Sequence, residues 1–118
     1  MIQLSEGHVS MTDKKLLQIE KQIAAIKQQL MEIGEMRPGS LTKQYKNPID
    51  KKGGFYQISY TQKNKSKTEY VRPYNIKVLK QQIRSYKKWK LLVERWIELS
   101  IIYSKLKMDI ANQAKLKL

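Results

Sequence analysis

Apolar residues in the first third of the chain recur at alternating intervals of three and four, the spacing of a coiled-coil helix. The positions in this seam are Leu16, Ile19, Ile23, Ile26, Leu30 and Ile33. Thr12 or Ser10 is the predicted N-cap, and Gly34 is predicted to help end the helix. The pattern therefore predicts a flexible segment over residues 1–11 and then a helix over residues 12–36 that packs against one partner helix.

A second and longer stretch with helical spacing follows Pro73 and contains neither glycine nor proline. Its seam continues with one slip in register: Ile76, Leu79, Ile83, Tyr86, then Trp89, Leu92, Trp96, Leu99, Tyr103, Leu106, Ile110. Over residues 91–106, apolar side chains surround more of the helix than one short partner covers. We therefore expect a helix over residues 75–116 and a homo-oligomer, most simply a homodimer, that associates through residues 91–106.

Between the two helical patterns the chain changes to the period of two that is typical of half-buried strands. A first arm is predicted over residues 55–61 and a second over residues 67–72, and the polar connection Gln62–Ser66 reverses the chain between them. The side chains that share one face of the first arm are Tyr56, Ile58 and Tyr60. The pattern predicts a β-hairpin with this face toward the core.

A lone two-stranded hairpin is marginally stable in water, so this hairpin needs a third strand or a helix to pack against. Residues 40–45, SLTKQY, alternate in the same way and are a candidate edge strand. The predicted fold is α+β and mainly α: an antiparallel two-helix coiled-coil stalk with an inserted two- or three-stranded β head over residues 37–74. At 118 residues the chain is expected to form a single domain.

The 24 lysines and arginines outnumber the 10 acidic residues and give a formal net charge of +14. Residues 12–35 are neutral, whereas residues 36–73 carry +7 and residues 74–118 carry +8. A basic surface of this size is typical of polyanion-binding proteins, whose partner is most often nucleic acid and less often an anionic membrane. The composition therefore predicts a nucleic-acid partner, DNA or RNA.

Two groups of basic residues form the candidate phosphate-binding surface. One lies at or beside the hairpin, and the other lies within roughly 100° of arc on the second helix. They are Lys63, Lys65, Lys67 and Arg72, followed by Lys77, Lys80, Arg84, Lys87 and Lys88. Because only Asp50 and Glu69 offset these charges between residues 36 and 93, a binding role is favoured over a merely solvated helix face.

The face of the first arm opposite Tyr56 and Tyr60 supplies the candidate base contacts, Phe55, Gln57 and Ser59. Aromatic residues able to stack on bases are Tyr56, Tyr60 and Tyr70. The period of two favours a core position for Tyr56 and Tyr60, which leaves the opposite face as the better exposed one.

The inventory for catalysis is poor. The chain has no cysteine, and its one histidine is His8 near the N-terminus. Glu94 and Glu98 lie one helical turn apart, but no third candidate metal ligand is near them in the sequence. We expect no enzymatic activity, no cofactor and no metal. The sequence contains neither a signal-peptide pattern nor a membrane-spanning stretch, so a cytoplasmic protein that does not bind membranes is expected.

Three segments are RPGSLTKQY at 37–45, GGFYQISYTQKNKSKTEYVRPYN at 53–75 and QQIRSYKKWKLLVERWIELS at 81–100. In these segments the chain resembles an uncharacterised family of short, basic bacterial proteins that are often encoded beside transposases or in mobile elements. The resemblance implies a helix, hairpin and helix order and an accessory role in a mobile element. Many of those proteins carry a cysteine- and glycine-rich loop where this chain has KNPIDKKGG, so the resemblance implies no metal site here.

A second interpretation of the same charge is a coiled-coil interaction protein. Its basic head would dock on an acidic protein partner, as an accessory subunit or as an inhibitor that occupies a nuclease. The partner distinguishes the two interpretations, because nuclease treatment removes nucleic acid from a complex and leaves a bound protein.

Overall fold

The computed structural model describes residues 11–116. The elements are α1 (Met11–Met31), β1 (Ser40–Asn47), β2 (Lys52–Gln62), β3 (Lys65–Val71), a short 3-10 turn (Pro73–Asn75) and α2 (Ile76–Leu116). The predicted α+β, mainly helical fold, with a β head inserted between two helices, is confirmed.

The described residues group into two compact units. One, the helical unit, contains α1 and the part of α2 from Leu91 onward; the other, the sheet unit, is Ile33–Lys90. The slip in the seam of α2, between Tyr86 and Trp89, lies just before this boundary, and the two rings stack with centroids 5.8 Å apart. Formation of one domain by all 118 residues stays a prediction.

In the helical unit α1 and α2 pack along the predicted seam. Ile19 and Ile26 are buried with Leu99 of α2, and the partly buried residues around them are Ile23, Leu30, Leu92, Trp96, Tyr103 and Leu106. The Tyr103 hydroxyl donates to Glu20 at 2.7 Å, while the Lys27 ammonium lies 5.3 Å from the ring centre of Trp96. Because residue numbers rise along α1 as they fall along α2, the helices run antiparallel.

The ends of α1 differ from the prediction. The helix begins at Met11, so Thr12 lies inside it and is not its N-cap, and Met11 does not belong to a flexible segment as predicted. The other residues of that predicted segment, 1–10, which include Ser10, lie outside the described residues. The helix ends at Met31 and not at Met36.

Two backbone hydrogen bonds account for the early end of α1. The Glu32 amide donates to the Gln29 carbonyl at 3.1 Å, which closes the last turn with three-residue spacing. The Arg37 amide donates to the Gln82 carbonyl of α2, also at 3.1 Å. Tertiary bonding to α2 therefore replaces the last predicted turn of α1.

The strands form one antiparallel sheet in the order β1-β2-β3, so the candidate edge strand at residues 40–45 exists and extends to Asn47. The hairpin between β2 and β3 is tighter than predicted. Gln62 pairs with Lys65, and the two residues between them, Lys63 and Asn64, have φ of 51° and 63°. This is the left-handed pair required by a type I′ turn, whose twist matches that of the strands.

The core of the sheet unit lies between one face of the sheet and the first turns of α2. Ile58 is 1% exposed and is buried with Val71 and Ile83. The partly buried residues packed on them are Leu41, Tyr56, Ile76 and Leu79. We call this side of the sheet the inner face and the opposite side the outer face. Since side chains alternate along a strand, the inner or outer position of every strand residue follows from this core.

Neither α1 nor α2, over residues 11–116, has a stretch long and apolar enough to cross a membrane.

Candidate nucleic-acid interface

The sheet unit carries most of the charge of the protein. Residues 33–90 contain fifteen lysines and arginines against three acidic residues, a net charge of +12, and the rest of the chain carries +2. The coiled-coil packing and the positive charge therefore belong to different units.

Glu69, on the inner face, is held by Arg37 and Tyr60. The Arg37 Nη2 donates to Glu69 Oε1 at 3.1 Å, and the Tyr60 hydroxyl donates to the same oxygen. The guanidinium carbon of Arg37 lies 5.0 Å from the ring centre of Tyr60. The hydrogen bond from Tyr60, together with Arg37, lowers the pKa of the Glu69 carboxyl, and the same hydrogen bond raises the pKa of Tyr60.

The other two acidic residues of the sheet unit also have local partners. The Gln82 side-chain amide donates to Glu35 at 3.0 Å. Asp50 caps the turn between β1 and β2: the Asn47 side-chain amide donates to its carboxylate at 3.0 Å. None of these hydrogen bonds involves one of the nine predicted phosphate-binding residues.

Most basic residues of the sheet unit, by contrast, form no ion pair with a carboxylate. Within residues 11–116, Arg37 is the only one of the fifteen that forms an ion pair. All nine predicted phosphate-binding residues are exposed. Among them, Lys67 donates to the Gln62 side-chain oxygen at 3.1 Å, and the Lys80 ammonium lies 6.0 Å from the ring centre of Tyr56. Apart from the attraction between Lys67 and Glu69, their charges are therefore not balanced by a carboxylate in the described part of the chain.

The four hairpin candidates follow the path of the turn and β3. Lys63 lies in the turn itself, and Arg72 follows directly after β3. Lys65 and Lys67 lie on the inner face, because Lys67 pairs with Tyr60 in the register that places Glu69 opposite Ile58. These two lysines therefore point to the side of the sheet on which α2 packs.

The five helical candidates lie on one flank of the apolar stripe of α2. They are Lys77, Lys80, Arg84, Lys87 and Lys88, and we call them the basic ridge. Lys80 brings the ridge to the sheet at Tyr56, which pairs with Val71 at the base of the hairpin. Lys63 lies seven residues further along, roughly 23 Å at 3.3 Å per residue. The ridge thus adjoins the base of the hairpin, as predicted, and not its tip.

Four further lysines lie in β1, in the turn after it and at the first residue of β2, and none of them was predicted to bind phosphate: Lys43, Lys46, Lys51 and Lys52. Lys43 pairs across the sheet with Tyr56, the residue that Lys80 reaches from α2. The charge of +7 over residues 36–73 was the available signal for all four. Their position could not be predicted from the sequence, because the pairing of β1 with β2, which brings Lys43 beside the ridge, is a tertiary feature.

The candidate base contacts Phe55, Gln57 and Ser59 do lie on the outer face, in alternation with Tyr56 and Ile58. Phe55 and Gln57 are half-buried and Ser59 is exposed. Tyr70, on the neighbouring strand, is 57% exposed, and its ring centre lies 6.3 Å from that of Phe55.

Of the two other tyrosines, Tyr56 takes its predicted core position, and Tyr60 lies on the inner face but outside the core cluster. Tyr56 packs on the cluster around Ile58, whereas Tyr60 is bound by Glu69 and Arg37. Neither is free to present its ring to a base from the outer face.

Within residues 11–116, no group of three or more histidine, cysteine, aspartate or glutamate side chains is arranged to hold a metal ion. Comparison of the chain with protein-family models, curated proteins and solved structures finds no match. The resemblance to mobile-element proteins therefore stays a prediction.

Proposed function

We propose that the protein binds nucleic acid through the sheet unit, with lysine and arginine side chains contacting phosphates. The supporting observation is a net charge of +12 in which Arg37 alone forms an ion pair within the described residues. A net charge of roughly 2 to 8 is enough to keep a small domain soluble. The charge beyond that range destabilises the folded unit, because the positive side chains repel one another. A bound polyanion offsets this repulsion: the basic side chains neutralise its phosphates and release the counterions that the phosphates held.

The surface that contacts phosphates consists of the basic ridge, the hairpin lysines and the lysines around β1. The ridge and Lys43 meet at Tyr56, so they act together on one phosphate backbone. Such contacts fix position on the nucleic acid without reading its sequence. If six to ten phosphates are contacted, the affinity falls by roughly 10³ to 10⁵ between 50 and 200 mM salt.

The test is a salt titration of the affinity for duplex DNA, single-stranded DNA and structured RNA of equal length. We expect a linear fall of log affinity with log salt concentration for at least one of the three polymers. Absence of binding to all three at physiological salt overturns the proposal. The positive charge would then be assigned to an acidic protein partner.

We also propose that a second copy of the chain covers the outward side of α2 in the helical unit. Ile97, Ile101 and Met108 are each more than half exposed there. They line a groove of about 530 Å³ together with the small residues Ser100 and Ser104, which permit close approach of another helix.

The charges beside this groove favour a second copy in antiparallel orientation. Glu94 lies on the flank of the groove toward its N-terminal end, and Lys105 lies on the same flank toward its C-terminal end. Two antiparallel copies of α2 place each glutamate near the lysine of the other copy. The charge outside the sheet unit is only +2, so mutual repulsion between helical units is weak.

A further inference from the structure

The charged strand residues lie mainly on the inner face of the sheet, whereas in most half-exposed sheets they lie on the face exposed to water. Of the six charged residues in the described strands, five lie on the inner face and one, Lys46, lies on the outer face. The remaining outer-face positions carry serine, threonine, glutamine, glycine and two aromatic residues. A water-exposed face normally carries the charged side chains of a strand. In a unit with a charge of +12, a sheet face with a single charged strand residue needs a specific explanation.

Hydroxyl and amide groups cover the middle of the outer face. Gln57 lies at its centre, between Thr42 of β1 and Tyr70 of β3. The Ser59 and Thr68 hydroxyls lie 3.3 Å apart across the next strand pair. Such groups both donate and accept hydrogen bonds, so they match ligands that are polar and uncharged, as the edges of nucleobases are.

At one end of this face Phe55 and Tyr70 border a shallow groove of about 370 Å³. Its other lining residues are Lys46, Gly53 and Gly54. The absence of a side chain at Gly53 matters, since its φ is +68° and a Cβ there would lie 3.1 Å from the Cβ of Lys46. The glycine thus leaves Lys46 in place beside two aromatic rings that are open to a flat ligand.

We propose that the outer face binds the bases of single-stranded nucleic acid, with bases stacked on the rings of Phe55 and Tyr70 and an adjacent phosphate held by Lys46. This inference rests on the proposed function and specifies its substrate. Stacking requires an open base face, and in a duplex both faces of each base are covered by neighbours. A phosphate backbone alone would not account for the exclusion of charge from the sheet face.

The lysines around the outer face are placed to hold the backbone of a strand that follows β2. Lys51 lies in the turn directly before β2, and Lys63 lies in the turn directly after its end. The eleven residues of β2 span roughly 36 Å at 3.3 Å per residue. The outer face, on which Lys46 is the one charged strand residue, is thus bordered by cations at both ends of its central strand. This charge pattern is complementary to a single strand whose bases face the sheet.

The test compares Tyr70→Ser with the control Tyr74→Ser. Tyr74 is 76% exposed and lies outside the strands, in the 3-10 turn, so the control makes the same change away from the outer face. We expect Tyr70→Ser to weaken binding of unstructured single-stranded DNA and RNA oligonucleotides roughly five- to hundredfold, the loss of one stacked base. The slope of log affinity against log salt should remain unchanged, and duplex binding should be affected little.

Two further variants separate stacking from a loss of structure. Phe55→Leu keeps an apolar side chain and removes the aromatic ring, and it should weaken single-strand binding while the circular dichroism spectrum is retained. Lys46→Gln should reduce the salt slope by about one.

The inference is overturned if the wild type binds duplex and single strands equally and neither Tyr70→Ser nor Phe55→Leu changes single-strand affinity. In that result the proposed function survives as binding to phosphates alone. If the wild type binds neither duplex nor single-stranded nucleic acid, the proposed function itself is overturned. Failure of this inference and failure of the proposed function therefore give different results.

Discussion

Arg37 and Glu69 are separated by 32 residues in the sequence, and their side chains meet at 3.1 Å. This ion pair connects the segment before β1 to the strand β3. It also occupies the carboxylate that lies nearest in sequence to the hairpin lysines. Glu69 forms its ion pair with Arg37, and the hairpin lysines form no ion pair within residues 11–116, which is why we assign their charges to an external polyanion.

The cluster around Glu69 predicts how the stability of the sheet unit depends on pH. The folded state lowers the pKa of Glu69 from its ordinary value of 4.5. Ionised Glu69 therefore contributes to the free energy of unfolding above about pH 4.5, and this contribution is lost as the pH falls through the lowered pKa. The folded state raises the pKa of Tyr60 from 10.0, so the contribution of Tyr60 is present below about pH 10 and is lost as the pH rises through the raised value.

The variant Glu69→Gln tests this dependence. Thermal unfolding of wild type and variant should differ most near pH 7 and converge toward pH 3, where the wild-type carboxylate is protonated as well. A difference that stays the same from pH 7 to pH 3 would show that ionisation of Glu69 does not stabilise the fold.

The sheet unit should depend strongly on its buried core. Ile58→Ala removes three carbons from a side chain that is 1% exposed, so we expect a loss of about 2 to 5 kcal/mol in the free energy of unfolding. The control is Val78→Ala on α2, which is 51% exposed and should cost no more than about 0.5 kcal/mol. Denaturant titration measures both; equal effects of the two variants would contradict the assigned core.

We expect Lys63 to lower the free energy of unfolding and, at the same time, to increase the affinity for nucleic acid. It adopts a φ of 51°, in a turn position where asparagine and glycine are preferred. Lys63→Asn should therefore raise the free energy of unfolding by up to about 1 kcal/mol and, at the same time, reduce the salt slope of nucleic-acid binding by about one.

Asn64→Gly is the matched control for this turn. It also relaxes a left-handed residue, with φ of 63°, but leaves every charge in place. It should leave the affinity unchanged. A decrease in affinity equal to that of Lys63→Asn would assign the effect to turn geometry and not to charge.

Self-association should depend on the exposed apolar side of α2. Replacement of both Ile97 and Ile101 by lysine puts charge into the groove and should convert the dimer to a monomer in sedimentation equilibrium. The control replaces Gln22 and Gln29, exposed residues of α1, by lysine, which adds the same charge elsewhere. A wild-type protein that is monomeric at micromolar concentration would contradict the dimer.

Hydrophobic spacing predicted the helices and the hairpin because these elements bury a regular side of the chain. The intervals of three and four identified Ile19, Ile26 and Leu99, and the period of two identified Ile58; all four are buried. The end of α1 was placed too late because Ile33 continues the seam, although Arg37 bonds to α2 and the helix has already ended. Local periodicity contains no information about that tertiary hydrogen bond.

The candidate site was only partly predictable for a similar reason. Composition gave the sign and the approximate position of the charge. The pairing of β1 with β2 brings Lys43 to Tyr56, and the strand register places Lys65 and Lys67 on the inner face. The scarcity of charge on the outer face emerges only when the three strands are aligned side by side, since no single strand is free of charged residues.

The measurement that tests the central claim most directly compares two charge-reversal variants of equal net charge. One replaces Lys63, Lys65, Lys67, Lys80 and Arg84 of the sheet unit by glutamate. The other replaces Lys14, Lys15, Lys21, Lys107 and Lys115 of the helical unit, all exposed, by glutamate. The affinity for nucleic acid is measured at about 0.1 M salt, where the Debye length is about 10 Å. It should fall steeply in the first variant and change little in the second. Equal losses in both variants, or unchanged affinity in the first, would contradict a binding surface on the sheet unit.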